Sequence, residues 1–372
     1  MKLKTNPIRH IYLHIPFCKK KCGYCSFYSI ESQSEDLDSF FRALQEEIRY
    51  YKREYSIKAD TIYLGGGTPS LLPVEYIAEL ISLIPRNKGC EITIEVNPQD
   101  INEDKVQGWL AAGINRISIG LQSMKSAELE FLGRRHSLED NYRVVSILQK
   151  NKFNHVSFDL IYGLPGQSIA DVEYSLKEYM KLYPDHISTY CLSLAEDCVL
   201  AGYRNYLPAD ETLSDMYYSI RSILVEAGWQ HYELSNFCQN AKISKHNLAY
   251  WQNENYLGCG PSAAGYVSGF RYQNPASLML WQQQIWNNQY FTDQEEINDQ
   301  TKEKEFIILA LRTIQGLRLE DYKKEFENDF KEKYEEILAK FSKLKLLEEI
   351  DGYIRLNIEG YFISNEILSE FV

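Results

Sequence analysis

The chain has 372 residues, 44% of them hydrophobic, and a formal net charge of −12. That length exceeds one ordinary core, so a large domain with a smaller one is expected, and the acidic balance argues against a general nucleic-acid or anionic-membrane surface. No apolar run is long enough to cross a bilayer, Met1 to His10 lacks the core of a secretory signal, and the eight cysteines do not read as a disulfide framework, so a reducing cytoplasm is the expected location.

In the first half, short apolar runs alternate with longer amphipathic stretches. Strands are predicted at 11–15, 61–64, 91–96, 116–120, 155–160 and 186–194. Helices are predicted between them at 37–55, 73–84, 102–112, 138–150 and 169–182, with a short one at 126–132. Several strands are apolar without strict alternation, as parallel strands buried on both faces are. Six strands with intervening helices predict an α/β fold, a parallel β/α barrel or partial barrel. Pro73 suits a first helical turn, and Asn102 offers an N-cap without the full capping box. After residue 200 the rhythm changes. Residues 210–227 read as a helix stopped by Gly228, 230–270 as loops with short strands, and 303–313 as a periodic helix. A helix-rich module from Leu319 ends in a hairpin about Asp351-Gly352, which suggests a small winged-helix-like cap.

Chemistry concentrates in Cys18-x3-Cys22-x2-Cys25. Iron–sulfur cubes are held by thiolates, normally four. Three ligands would leave one iron open, and an open metal position is where a substrate binds. The competing reading is a zinc site completed by His14 or His10, although zinc motifs usually bring paired C-x2-C elements. Gly65-Gly66-Gly67-Thr68-Pro69 follows a strand directly and lets backbone approach a ligand; alone, it would be a tight strand–helix turn. Glu95, Gln122 and Asp159 fall at the ends of successive predicted strands, toward one barrel mouth. Arg134 offers a fork for a carboxylate. Singly these are ordinary solvated residues; together they form a binding set. His246-Asn247-x-x-Tyr250-Trp251 pairs a histidine with aromatics. Such a histidine could ligate haem iron, but read from the residues alone it is better explained as a hydrogen-bonded loop histidine beside two packing rings.

The cysteine run with Tyr12-x-His14-Ile15-Pro16-Phe17 before it, the glycine loop, Glu95-Val96-Asn97-Pro98, Leu132-Gly133-Arg134-Arg135-His136, Asp159 to Pro165 and Leu311-Arg312-Thr313-Ile314-Gln315-Gly316-Leu317 together resemble the HemN/HemW branch of the radical S-adenosylmethionine (SAM) superfamily. The resemblance implies that Cys18, Cys22 and Cys25 hold a [4Fe–4S] cluster whose open iron takes SAM. It implies SAM contacts from Tyr12, Gly66, Gly67, Thr68, Glu95, Gln122, Arg134 and Asp159. It implies a partial (βα)6 barrel over 1–235, a connecting region over 236–300 with the H-N-x-x-Y-W motif, and a mainly helical HemN-type domain over 301–372. Within the branch, oxygen-independent coproporphyrinogen III oxidases carry a fourth cysteine where this chain has Phe27, and a long arm where it has 17 residues before Cys18. HemW-type haem chaperones share the three-cysteine motif followed by Phe, and the H-N-x-x-Y-W motif. The expectation is therefore a haem chaperone serving cytochromes or other haem proteins, with His246, Asn247, Tyr250 and Trp251 at the haem, without nucleic acid, and with homodimerisation and peripheral membrane contact implied by resemblance. The oxidase is the alternative.

Overall fold

A computed structural model describes residues 7–31, 34–291 and 293–371; most of the stretch read above as lacking a secretory signal lies outside them. The chain divides into two compact units: residues through Ile220 with Asn255–Glu296, and Arg221–Glu254 with Ile297–Val372. The division runs differently from cuts at 235 and 300. The polar middle of the chain contributes to both units, because strands after 255 pair with the first strand of the barrel.

In the barrel unit, β1 (Ile8–Ile15), β2 (Ile57–Gly66), β3 (Arg86–Val96), β4 (Arg116–Gln122), β5 (Val156–Tyr162) and β6 (His186–Cys191) lie side by side in chain order. Each pairs in parallel with the next. This is the predicted partial (βα)6 barrel. Leu13, Ile62, Ile94, Ile119 and Phe158 are fully buried at its centre. Runs this apolar are buried on both faces: in a barrel the helices between the strands cover the outer face, and side chains of the strands fill the inner one. Local signals set the helix ends. Asn102 accepts the amide of Lys105 at 2.9 Å, and full capping boxes, Ser137 with Asp140 and Ser168 with Asp171, open two other helices.

Beyond β1 the sheet continues. Tyr256–Cys259 pairs with β1 in parallel, and Ala264–Val267, Phe270–Gln273 and Gln294–Glu296 add antiparallel strands. Glu47, on the helix after β1, ties this extension down. Its buried carboxylate accepts from the Gly260 amide at 2.7 Å, Asn274 Nδ2 at 2.8 Å, Trp281 Nε1 at 3.2 Å and Tyr51 Oη at 3.3 Å.

The C-terminal unit packs the helix Asp299–Leu311 with a three-stranded sheet, in which Leu317–Arg318 and Leu347–Ile350 flank Tyr353–Leu356. Tyr322, Phe330, Ile307 and Leu311 are buried in it. The hairpin turns at Asp351 (φ 53°) and Gly352 (φ 80°), both left-handed, as a two-residue turn matched to strand twist requires. Residues 221–254 add a short hairpin and the helix Lys245–Trp251. The hairpin is stitched to the turn after Leu311: Ile314 N donates to Tyr232 O at 3.1 Å and Leu234 N to Arg312 O at 3.2 Å. Among the described residues no helix is long and apolar enough to cross a membrane.

Candidate functional site

The three cysteines lie on the loop after β1. Backbone bonds hold that loop on both sides. Thr68 N donates to Phe17 O at 2.8 Å, Gly23 N to Leu132 O at 3.2 Å, and Leu200 N to Gly23 O at 2.9 Å. Gly67 has to be glycine: a Cβ there would stand 2.8 Å from Phe17 O. The glycine run therefore brings the β2 loop against the cysteine loop, and it is more than a turn.

Cys18 is buried, while Cys22 and Cys25 are half-buried. Burial pushes the Cys18 and Cys25 thiols up. Donors are aimed at sulfur, among them Thr68 Oγ1 at 3.5 Å from Cys18 Sγ and Arg134 Nη1 at 3.4 Å from Cys22 Sγ. Donors of this kind stabilise cluster-ligating thiolates and tune their iron. The set thus fits a [4Fe–4S] cluster. A zinc reading fares worse. His14 spends Nδ1 on Tyr12 Oη at 3.1 Å and Nε2 on Tyr28 O at 2.9 Å, and His10 spends Nδ1 on Thr61 at 2.9 Å.

Asn97 joins two of these donors. Its Nδ2 donates to Thr68 Oγ1 at 3.0 Å and its Oδ1 accepts from Arg134 Nη2 at 2.6 Å. Arg134 also donates to Gly120 O at 2.7 Å. A continuous polar path thus runs from Cys18 through Thr68, Asn97 and Arg134 to Cys22. Asn97 was not among the residues singled out from sequence. Its signal was its place two residues past Glu95, just beyond the end of β3 and before Pro98.

Glu95 is the next-to-last residue of β3, whereas Asp159 lies in the middle of β5 rather than near its end. Glu95 accepts from Tyr63 Oη at 2.7 Å and from the Gly66 amide at 3.2 Å. Asp159 accepts from Ser118 Oγ at 3.1 Å. Burial pushes Glu95 up to about 7, with Asp159 adding to the effect. Burial likewise pushes Asp159 up to about 6. Tyr63 and Ser118 are further wall residues that the sequence reading passed over. Tyr12 packs on Tyr63, with ring centroids 6.1 Å apart. Gln122 is buried at φ 66°, a conformation non-glycine residues seldom take, and it stands where a Cβ on Gly120 would meet its Nε2 at 2.6 Å.

The H-N-x-x-Y-W motif lies elsewhere, on the helix Lys245–Trp251 of the C-terminal unit. Its residues part to two faces. His246 is 1% exposed, and its Nε2 lies 2.9 Å from Tyr250 Oη. Leu248 and Trp251 instead line a cavity of about 910 Å³ within the same unit. Asn247 sits in the first turn, its amide bonded to the capping Ser244 Oγ at 3.4 Å.

Residues 12–178 match the radical SAM superfamily and 298–363 the HemN C-terminal domain. The heme chaperone HemW of Lactococcus lactis is 31% identical over 97% of this chain and 96% of that protein. HemW of Bacillus subtilis is 30% identical over 98% and 99%. In fold, the chain is similar to coproporphyrinogen III oxidase HemN from Escherichia coli, with a TM-score of 0.86 at 23% identity over 98% of this chain and 90% of that one. A radical SAM barrel implies a [4Fe–4S] cluster and SAM, and the donor set around Cys18, Cys22 and Cys25 suits the first of them. With end-to-end similarity to two HemW proteins, both domains matched and three cysteines at the barrel mouth, the chain belongs to the HemW family of the radical SAM superfamily.

Proposed function

We propose that this chain is a haem chaperone: it binds haem and delivers it to haem-requiring respiratory proteins, while its barrel carries a [4Fe–4S] cluster and SAM. The observation that carries the reading is similarity to HemW chaperones over nearly all of both chains. Phe27 supports it too, standing 66% exposed beside Cys25 where coproporphyrinogen oxidases of this branch have a fourth cysteine.

Cys18, Cys22 and Cys25 would hold the cluster, which when bound and reduced supplies the electron for SAM cleavage. The rest is done by the chain's own side chains. Gly66, Gly67 and Thr68 offer backbone close to the cysteines. Glu95 and Asp159 are buried acceptors suited to an ammonium and to ribose hydroxyls. A cationic ligand beside them would favour their ionised forms, offsetting the burial that raises both. Arg134, with much of its fork committed to Asn97, Gly120 and Cys22, would hold the SAM carboxylate through its remaining donors, beside Tyr12 and Gln122. His246 is the iron ligand the motif offers, and it would have to exchange Tyr250 for iron. Haem-accepting cytochromes are the proposed recipients, with a second copy of the chain and a membrane surface as further contacts.

The test is an anaerobic haem titration of cluster-loaded protein, followed by visible absorption, with a coproporphyrinogen III turnover assay on the same sample. Stoichiometric haem binding, weakened by His246→Ala and without turnover, is expected. Turnover without specific haem binding would make the protein an oxidase and overturn the proposal.

A further inference from the structure

Charge changes sign around the cysteine loop. The chain as a whole carries a net charge of −12, yet Lys19, Lys20 and Lys21 fill the gap between Cys18 and Cys22. Arg135 comes up beside them, because Leu132 O and Gly23 N join the two segments at 3.2 Å. Lys19 is spent on the buried carboxylate of Asp100, at 2.5 Å. Lys20 and Arg135 are exposed and make no ion pair with a described acid. Between them opens a crevice of about 30 Å³ whose walls include Cys22, Asn97 and Arg134. It has room for about one or two water molecules and is too narrow for an organic ligand. It nevertheless leaves Cys22 only half-buried, close behind a basic rim.

The other flank of the loop is apolar. Leu200 N bonds to Gly23 O at 2.9 Å, and its neighbour Val199 stands 82% exposed. Tyr203 and Tyr206 follow, both exposed, with ring centroids 6.0 Å apart. Tyr203 meets Phe131 edge-on at 5.2 Å, which ties this flank to the segment that carries Arg135. Exposed tyrosine and aliphatic surface beside a charged rim is the composition of a protein interface.

We infer that the surface around Cys22 is the landing site of a small acidic carrier protein that delivers single electrons, steered by Lys20 and Arg135. The inference rests on the cluster proposed above for Cys18, Cys22 and Cys25, which must be reduced before it can supply an electron to SAM. The carrier gives up one electron and the cluster takes it; no bond is made or broken and no proton moves. Encounters of this kind use small interfaces and are guided by charge. An acidic partner is repelled by the net charge of the rest of the chain, so the patch also decides where it lands. An anionic membrane would meet the same basic groups, but it gives no reason for them to ring the crevice at Cys22.

An acidic flavodoxin serves as the probe. In its oxidised form it is titrated calorimetrically into the cluster-loaded full chain. In its hydroquinone form it is mixed with the same protein in a stopped-flow spectrometer, and its oxidation to the semiquinone is followed. Dithionite is the reductant that needs no landing site. Lys20→Glu/Arg135→Glu is expected to weaken binding and slow electron transfer by at least about tenfold, and Lys20→Arg/Arg135→Lys to preserve both. The wild-type rate should fall as salt is raised, and dithionite should reduce all three proteins alike. Transfer to the charge-reversed variant at the wild-type rate, a wild-type rate indifferent to salt, or no transfer to the wild type overturns the inference. So does loss of binding to anionic phosphatidylserine vesicles in that variant with the flavodoxin rate unchanged, which would make the patch a membrane contact. If dithionite finds no reducible cluster in the wild type, it is the cluster reading itself that fails.

Discussion

Asn97 is a small residue with a long reach. It holds together two donors aimed at Cys18 and Cys22, and hydrogen bonds to cluster sulfurs stabilise the reduced, more negative state. Asn97→Leu should therefore leave the cluster assembled but move its midpoint potential to more negative values in an EPR-monitored redox titration. An unchanged potential would show that Thr68 and Arg134 keep their aim without it. The carboxyls deeper in the mouth make a second prediction. Asp159 and Glu95 are raised to about 6 and about 7, so below those values both are neutral. If SAM is bound through their charged forms, its affinity should climb between pH 5.5 and 7.5 and level off above, because each must first release its proton. Asp159→Ala should cost at least about tenfold in SAM affinity, measured by anaerobic equilibrium dialysis, with iron content unchanged.

At the scale of elements, Glu47 is the clearest case of one side chain fixing several segments. Four donors converge on it, three of them N–H groups that can only donate, so Glu47→Gln would turn an amide NH2 toward at least one of these. A loss of about 1–3 kcal/mol is expected, read as a lower melting temperature. Its pH dependence has a definite sign. Burial raises the folded-state value to about 7 from 4.5, so the folded chain keeps a proton that the unfolded chain has released in that window. The stability advantage of wild type over Glu47→Gln should therefore shrink as pH rises from about 5 to 7 and stay flat beyond. The same extension shows where the sequence was hard to read. The strands of the barrel announce themselves as apolar runs that stop at glycine or a polar residue. Tyr256–Cys259 and Ala264–Val267 do not, because glycine replaces the apolar residue where chains crowd: a Cβ on Gly258 would stand 2.0 Å from Ala264 O. Composition alone makes the stretch loops with short strands, without placing the strands. The two capping boxes escaped for a smaller reason, the aspartate at their third helical position in place of the usual glutamate or glutamine. In the site, the cysteines and strand carboxylates were legible because their spacing is chemical. Tyr63, Asn97 and Ser118 were not, since their roles depend on register between neighbouring strands.

For the molecule as a whole, the two units interleave along the chain. Residues 221–254 belong to a unit whose remainder begins only at Ile297. A chain ended after Glu296 would keep every strand of the barrel unit, but the hairpin at 230–238 would lose Ile314 and Arg312, which close its backbone bonds. Limited proteolysis should then cut within 221–254 in the shortened chain and spare that segment in the full one. Equal resistance in both would mean that the hairpin stands without its partners.

The pairing of β1 with Tyr256–Cys259 has a consequence for how the protein is made. β1 must wait for the synthesis of some 240 further residues before its outer edge is covered. During that interval an unpaired edge rich in isoleucine is open to any passing strand, and pairings so distant in sequence form slowly. Nascent chains of this protein that end before residue 256 should therefore associate with holding factors more than chains that extend past residue 259, as co-sedimentation of stalled ribosome complexes would show.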